Sequence, residues 1–139
     1  KCSTALNCFY KHILSDNFET EINNIFNIKE NKFICRSIVT STATEKSFLI
    51  PHIDHISTEN RQLSLNFIYF VDGNNDDITH SGGTSIYKDN EGLITLCEPT
   101  TLKNSLLIYN NSANFFHGFK VLKKNCFRKA ISFQFHNEL

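Results

Sequence analysis

Two histidines and one aspartate carry the chemistry of this chain: His52 and Asp54, two residues apart, and His117 far downstream. Two imidazoles and a carboxylate are a ligand set that can occupy one triangular face of an octahedral iron(II), leaving the opposite face for a co-substrate and oxygen. In an extended strand residues i and i+2 project from one face, so His52 and Asp54 can reach one ion while Ile53 turns away. His117 must then come from a different strand of a closed or folded-over sheet. Alone, a His-x-Asp pair recurs by chance and reads as a surface histidine beside a turn aspartate.

A second set of residues lifts that pair above chance. Shortly after His117 comes the run Arg128-Lys129-Ala130-Ile131-Ser132-Phe133-Gln134-Phe135. Period two puts Arg128, Ala130, Ser132 and Gln134 on one face, and Lys129, Ile131, Phe133 and Phe135 on the other. An inward arginine beside a small residue and a hydroxyl suits the distal carboxylate of a dicarboxylate ligand, because a guanidinium pairs with a carboxylate through two parallel hydrogen bonds. Gln134 would line the same pocket. Without the histidines, Arg128 would read as half of a structural ion pair.

Taken in order, Pro51-His52-Ile53-Asp54, Leu65-Asn66-Phe67-Ile68-Tyr69-Phe70-Val71-Asp72, Gly82-Gly83-Thr84-Ser85-Ile86-Tyr87, Leu106-Leu107-Ile108-Tyr109, Phe116-His117-Gly118 and Arg128-Lys129-Ala130-Ile131-Ser132 resemble the iron(II)/2-oxoglutarate-dependent oxygenase superfamily. Within it, the Gly-Gly-Thr-Ser segment and its order resemble the prolyl-hydroxylase-like branch. The resemblance implies iron(II) held by His52, Asp54 and His117 as the catalytic centre, with 2-oxoglutarate and O2 as co-substrates and ascorbate as a stimulant. It implies that the 5-carboxylate of 2-oxoglutarate meets Arg128, helped by Ser132. It also places one strand, carrying Asn66 and Tyr69, beside the co-substrate. Those two residues have opposite strand parity, and the register that decides which faces inward is left open.

The activity so implied is hydroxylation of an amino acid, peptide or small-molecule C–H bond with release of succinate and CO2. Asp54 argues against the halogenating variant, in which a small residue replaces that carboxylate. Two other classes share the features: a cupin-like metalloenzyme independent of 2-oxoglutarate, which would leave Arg128 without a task, and a non-catalytic binding module of the same fold.

The elements that must position these residues are mainly strands behind an N-terminal helix. Asp16 and Glu19 make a capping box, and Phe18, Ile22, Ile25 and Phe26 fall at helical spacing, which predicts a helix over about Asn17 to Asn27. Eight strands are expected: Phe33–Thr40, Ser47–Asp54, Leu63–Val71, Thr84–Lys88, Gly92–Cys97, Ser105–Asn110, Phe115–Val121 and Phe127–Phe135. Short strands at regular spacing suggest a sandwich or barrel, and eight fit a double-stranded β-helix of the jelly-roll, cupin-like kind. The reading is one oxygenase domain over 1–139, with about 1–32 a helical buttress and about 33–135 the β-helix core. Asp72-Gly73-Asn74-Asn75-Asp76-Asp77 and Ser81-Gly82-Gly83 read as loops. The first lacks the spacing of a calcium loop.

Length and charge narrow the class. A chain of 139 residues can bury one real core. With 13 phenylalanines and no tryptophan or methionine, Phe, Ile and Leu must fill it. Fourteen basic residues balance fourteen acidic ones, so the positive footprint of a nucleic-acid binder is missing. Among the substrates the resemblance allows, a chain this short has little room for a large protein-docking surface, so a small-molecule or peptide substrate is expected. Five cysteines without a Cys-x-x-Cys pair read as reduced thiols, and with no apolar stretch of membrane-spanning length the expected location is cytoplasmic. Lys1 rather than methionine opens the chain, which is compatible with a longer polypeptide. Oligomeric state and substrate identity are not encoded in any of these features.

Overall fold

Period-two patterning gives each long strand an apolar face and a mixed face, and each face meets a different layer. The computed structural model of the protein describes residues 4–28, 32–54, 64–74, 82–111 and 115–137. Two helices, α1 (Thr4–Ile13) and α2 (Asp16–Ile25), precede the strands β1 (Phe33–Ala43), β2 (Leu49–His52), β3 (Ser64–Asn74), β4 (Ser85–Tyr87), β5 (Thr95–Cys97), β6 (Ser105–Asn110), β7 (Phe116–Phe119) and β8 (Phe127–Asn137). They form two four-stranded antiparallel sheets, ordered β1-β8-β3-β6 and β2-β7-β4-β5. Apart from the β4–β5 step, the chain changes sheet at every strand, so residues far apart in sequence become neighbours.

The helices cover the outer face of the first sheet. Ile13, Phe18 and Ile22 pack there against Leu65 and Phe67 of β3 and Ile131, Phe133 and Phe135 of β8, with Leu6, Phe9 and Tyr10 at the margin. The inner face holds a smaller cluster of Ile68, Phe70, Leu102 and Ala130. The face that β8 splits into arginine, serine and glutamine on one side and Phe and Ile on the other is thus set by what the helices exclude from water.

The helix ends differ from the sequence expectation in an instructive way. Ser15, not Asp16, caps α2: it is extended (φ −89, ψ 151) and its hydroxyl accepts from the Phe18 amide. Glu19 does not reach back to the cap; its carboxylate accepts from the Phe33 amide and ties α2 to the start of β1. Ile25, expected on the buried stripe, is 70% exposed because α2 ends there. A turn after α1 leaves room for both helices in the region read as one buttress.

Strand β3 also runs further than the turn residues suggest. Asp72, Gly73 and Asn74 continue it after a bulge at Val71, pairing with Lys129, Arg128 and Phe127. The Asn74 side chain accepts from the Phe127 amide and donates to the Asn125 carbonyl, doing by side chain what a longer ladder would do by backbone. The acidic residues Asp76 and Asp77 lie outside the described residues.

Phe133 is 1% exposed and touches the helix layer through Phe9 and Tyr10. Truncating a buried phenylalanine costs about 3–5 kcal/mol. Phe133→Ala should therefore lower the unfolding free energy by that much, read by equilibrium denaturation as a lower urea midpoint at an unchanged slope.

Candidate metal centre

Strands β2 and β7 lie side by side and place His52 opposite His117, with ring centroids 4.2 Å apart. Between the pairs Leu49–Phe119 and His52–His117, β2 carries one more residue than β7. That bulge falls at Ile50 and Pro51 on the edge of its sheet, where a proline costs no ladder hydrogen bond. The bulged backbone rests on Gly118: a Cβ there would stand 2.5 Å from the Leu49 carbonyl oxygen and 3.0 Å from the Pro51 nitrogen. Only a glycine lets the two histidines come level.

Asp54, two residues past His52 and just beyond the end of β2, completes the group. Its Oδ1 lies 3.4 Å from His52 Nε2 and 3.6 Å from His117 Nε2. All three ligand atoms fall within 4.8 Å of one another. Ligands about 2.1 Å from one metal stand about 3 to 4 Å apart, so the two aspartate–histidine distances suit a single ion. The His52 Nδ1 contacts the Ile50 carbonyl at 2.9 Å; a carbonyl only accepts, so the ring proton sits on Nδ1 and the Nε2 lone pair faces the centre. The His117 contact, opposed by burial and aided by Asn66 and His52, holds the Asp54 carboxyl well below the usual carboxylate range.

The other carboxylate oxygen is taken. Asp54 Oδ2 accepts from Asn66 Nδ2 at 2.9 Å, Gln134 Nε2 at 3.0 Å and Asn111 Nδ2 at 3.4 Å. Asn66 thus faces the centre. Tyr69, the alternative of opposite parity, does not: its ring packs on Phe9 of α1 and its hydroxyl donates to Asn104. The parity that register had to settle is settled by the helix layer, which takes the larger ring.

Arg128 is 5% exposed and faces the same interior. Both Nη atoms donate to the Thr84 hydroxyl at 3.2 Å, and the guanidinium lies over the rings of Phe119 (4.4 Å) and Phe70 (5.1 Å). Among the described residues no carboxylate pairs with it, and burial depresses its pKa to about 10. A buried cation left with one hydroxyl and two rings is costly, and an anion would offset that cost. Because Thr84 accepts from Arg128, its own proton is left to donate to the same anion. Ser132 shares the Arg128 face, two residues past Ala130.

Several contributors were not singled out from sequence. Thr84 lies in the Gly-Gly-Thr-Ser segment and Tyr109 in a quoted strand, but neither had a chemical signal of its own. Asn111 follows β6 with none at all.

No protein-family model matches the chain, and no curated protein sequence does. Solved structures do match. An oxidoreductase of the 2OG-Fe(II) oxygenase family from Burkholderia pseudomallei superposes with a TM-score of 0.68 at 9% identity, over 94% of this chain and 57% of that one. This chain has the fold of that oxygenase. A Pseudomonas putida prolyl-4-hydroxylase superposes with a TM-score of 0.57 at 16% identity, over 88% of this chain and 63% of that one. These two proteins belong to the superfamily and the branch that the motif order resembles. The chain spans 57% and 63% of their lengths. No described helix is long and apolar enough to cross a membrane.

The contact at Gly118 generates a direct test. Gly118→Ala forces β2 off β7 and separates His52 from His117, so divalent-metal affinity should fall by about tenfold or more, as when a ligand's support is lost. Competition titration against a chelator measures it; unchanged affinity would show that the bulge does not hold the histidines level.

Proposed function

We propose that the chain is an iron(II)- and 2-oxoglutarate-dependent dioxygenase that hydroxylates a C–H bond of an amino acid, peptide or small molecule. The observation that carries this reading is Arg128, a buried guanidinium without a carboxylate partner among the described residues, in the same interior as the His52, Asp54 and His117 cluster. The spacing supports it. Phe119, which stacks on Arg128, lies two residues beyond His117 on β7, roughly 7 Å along a strand. That is about the reach of a five-carbon dicarboxylate with one end at the metal and the other at the guanidinium. A metalloenzyme without 2-oxoglutarate would leave this cation unanswered.

Each residue then has a task. His52, Asp54 and His117 hold the metal. Arg128 and Thr84 fix the far carboxylate of the co-substrate, with Ser132 on the same face, while Phe70 and Phe119 keep water from that pair. Iron(II), 2-oxoglutarate and O2 together supply the oxidising chemistry, in which the co-substrate becomes succinate and CO2 and one oxygen atom enters the substrate. The strand order β1-β8-β3-β6 over β2-β7-β4-β5 supports the jelly-roll, double-stranded β-helix reading of the sheets. The balanced charge speaks against nucleic acid as substrate. Iron(II) is most readily kept reduced in the cytoplasm, which is the proposed location, and ascorbate would assist in the same way.

Calorimetry and succinate release test the reading. The anaerobic protein should bind one iron(II), and His52→Ala or His117→Ala should abolish tight binding by removing one of three ligands. Breaking a buried charge pair costs about 3–5 kcal/mol, so Arg128→Ala should keep iron and lose 2-oxoglutarate affinity by roughly 150-fold to 5,000-fold. Arg128→Lys should recover only part, since the two-pronged geometry is gone. With iron(II), O2 and ascorbate the parent should release succinate. Arg128→Ala binding 2-oxoglutarate within about threefold of the parent would place the carboxylate anchor elsewhere.

A further inference from the structure

At one level of the first sheet a polar side chain from each of its four strands faces inward, and the four are joined. Register pairs Ser37 of β1 with Gln134 of β8, Gln134 with Asn66 of β3, and Asn66 with Tyr109 of β6. The Ser37 hydroxyl lies 3.1 Å from Gln134 Oε1, which is an acceptor only. That contact fixes the Gln134 amide with its NH2 toward Asp54, where Nε2 meets Oδ2 at 3.0 Å. Asn66 uses its NH2 twice, toward Asp54 Oδ2 at 2.9 Å and toward the Tyr109 hydroxyl at 3.0 Å. Asn111 adds a longer contact, 3.4 Å, to the same carboxylate oxygen.

We infer that this row is a carboxamide clamp: Asn66 and Gln134, oriented by Tyr109 and Ser37, reserve Asp54 Oδ2 and leave Oδ1 as the single carboxylate atom offered to a metal. The inference rests on reading His52, Asp54 and His117 as a metal site. A free carboxylate can ligate through one oxygen or both. Binding through both would here require Oδ2 to leave at least two charge-assisted hydrogen bonds, which are the stronger kind. One-oxygen binding keeps a coordination position open that a second carboxylate oxygen would fill. Asn66, Gln134, Tyr109 and Ser37 are positioning residues that act through Asp54 without touching the metal.

Cobalt(II) bound to the whole chain under anaerobic conditions reports both affinity and coordination, the latter through its visible absorption bands. Gln134→Leu keeps the side-chain bulk at a half-buried position and removes the donor. It should weaken cobalt(II) binding by roughly 10-fold to 100-fold, the range seen when a ligand's hydrogen-bond partner is lost. It should also change the position and intensity of the cobalt bands as Oδ2 is released. Ser37→Ala, on an edge strand and touching neither Asp54 nor the metal, should change the bands in the same sense with a smaller loss, and Ser37→Thr should restore the parent spectrum. If Gln134→Leu does not fold, Ser37→Ala carries the test alone. Affinities within about twofold of the parent together with unchanged bands in the folded variants would overturn the clamp while leaving the metal site standing. A parent chain that binds no cobalt(II) would overturn the metal reading and the clamp with it.

Discussion

The Asp54 carboxylate is the point at which the two sheets are fastened together. Its Oδ1 faces imidazoles delivered by β2 and β7 of one sheet, and its Oδ2 accepts from amides on β3 and β8 of the other. A charged group taken partly out of water must be answered on both oxygens, since an unpaired buried charge costs far more than a lost neutral contact. Each answer constrains a strand. The bulge at Ile50 and Pro51 and the glycine at 118 bring the two imidazoles level with one oxygen, and the inward parity of Asn66 brings an amide donor to the other.

Arg128 makes the complementary fastening with the sign reversed. It belongs to the first sheet and lies on Phe119 and against Thr84, which come from β7 and the segment leading into β4. Unlike Asp54, it is answered by a hydroxyl and aromatic faces alone among the described residues. Cation–aromatic contacts offset part of the desolvation and do not neutralise the charge. One centre is therefore nearly saturated by the protein and the other is not, and the unsaturated one is where an outside anion gains most.

Much of this was legible in the sequence because strand parity is a strict rule. His52 with Asp54, and Arg128 with Ser132 and Gln134, share faces as period two requires, and β6 runs from Ser105 to Asn110 as read from sequence. What sequence left open is what parity cannot decide. Asn66 and Tyr69 were equally eligible until the helices claimed one face of β3, and Ser15 displaced Asp16 as the cap because the chain enters α2 in an extended conformation there. Asn111 and Thr84 act through contacts between segments distant in the chain, for which composition and spacing carry no signal.

The bulge at Val71 decides who may answer Arg128. Counting by two from Asn66, Ile68 and Phe70, Asp72 would fall on the inner face, in the row that ends opposite Arg128. The extra residue moves it to the outer side, where it pairs with the exposed Lys129, and puts Gly73 opposite Arg128 instead. The Asp72 carboxylate accepts from the Gly73 amide. Without the bulge the same residues would pair Val71 with Lys129 and Asp72 with Arg128, presenting the arginine with a built-in counter-ion and closing its interior as an internal ion pair. The irregularity thus acts as a spacer that withholds the chain's own acid from its own base.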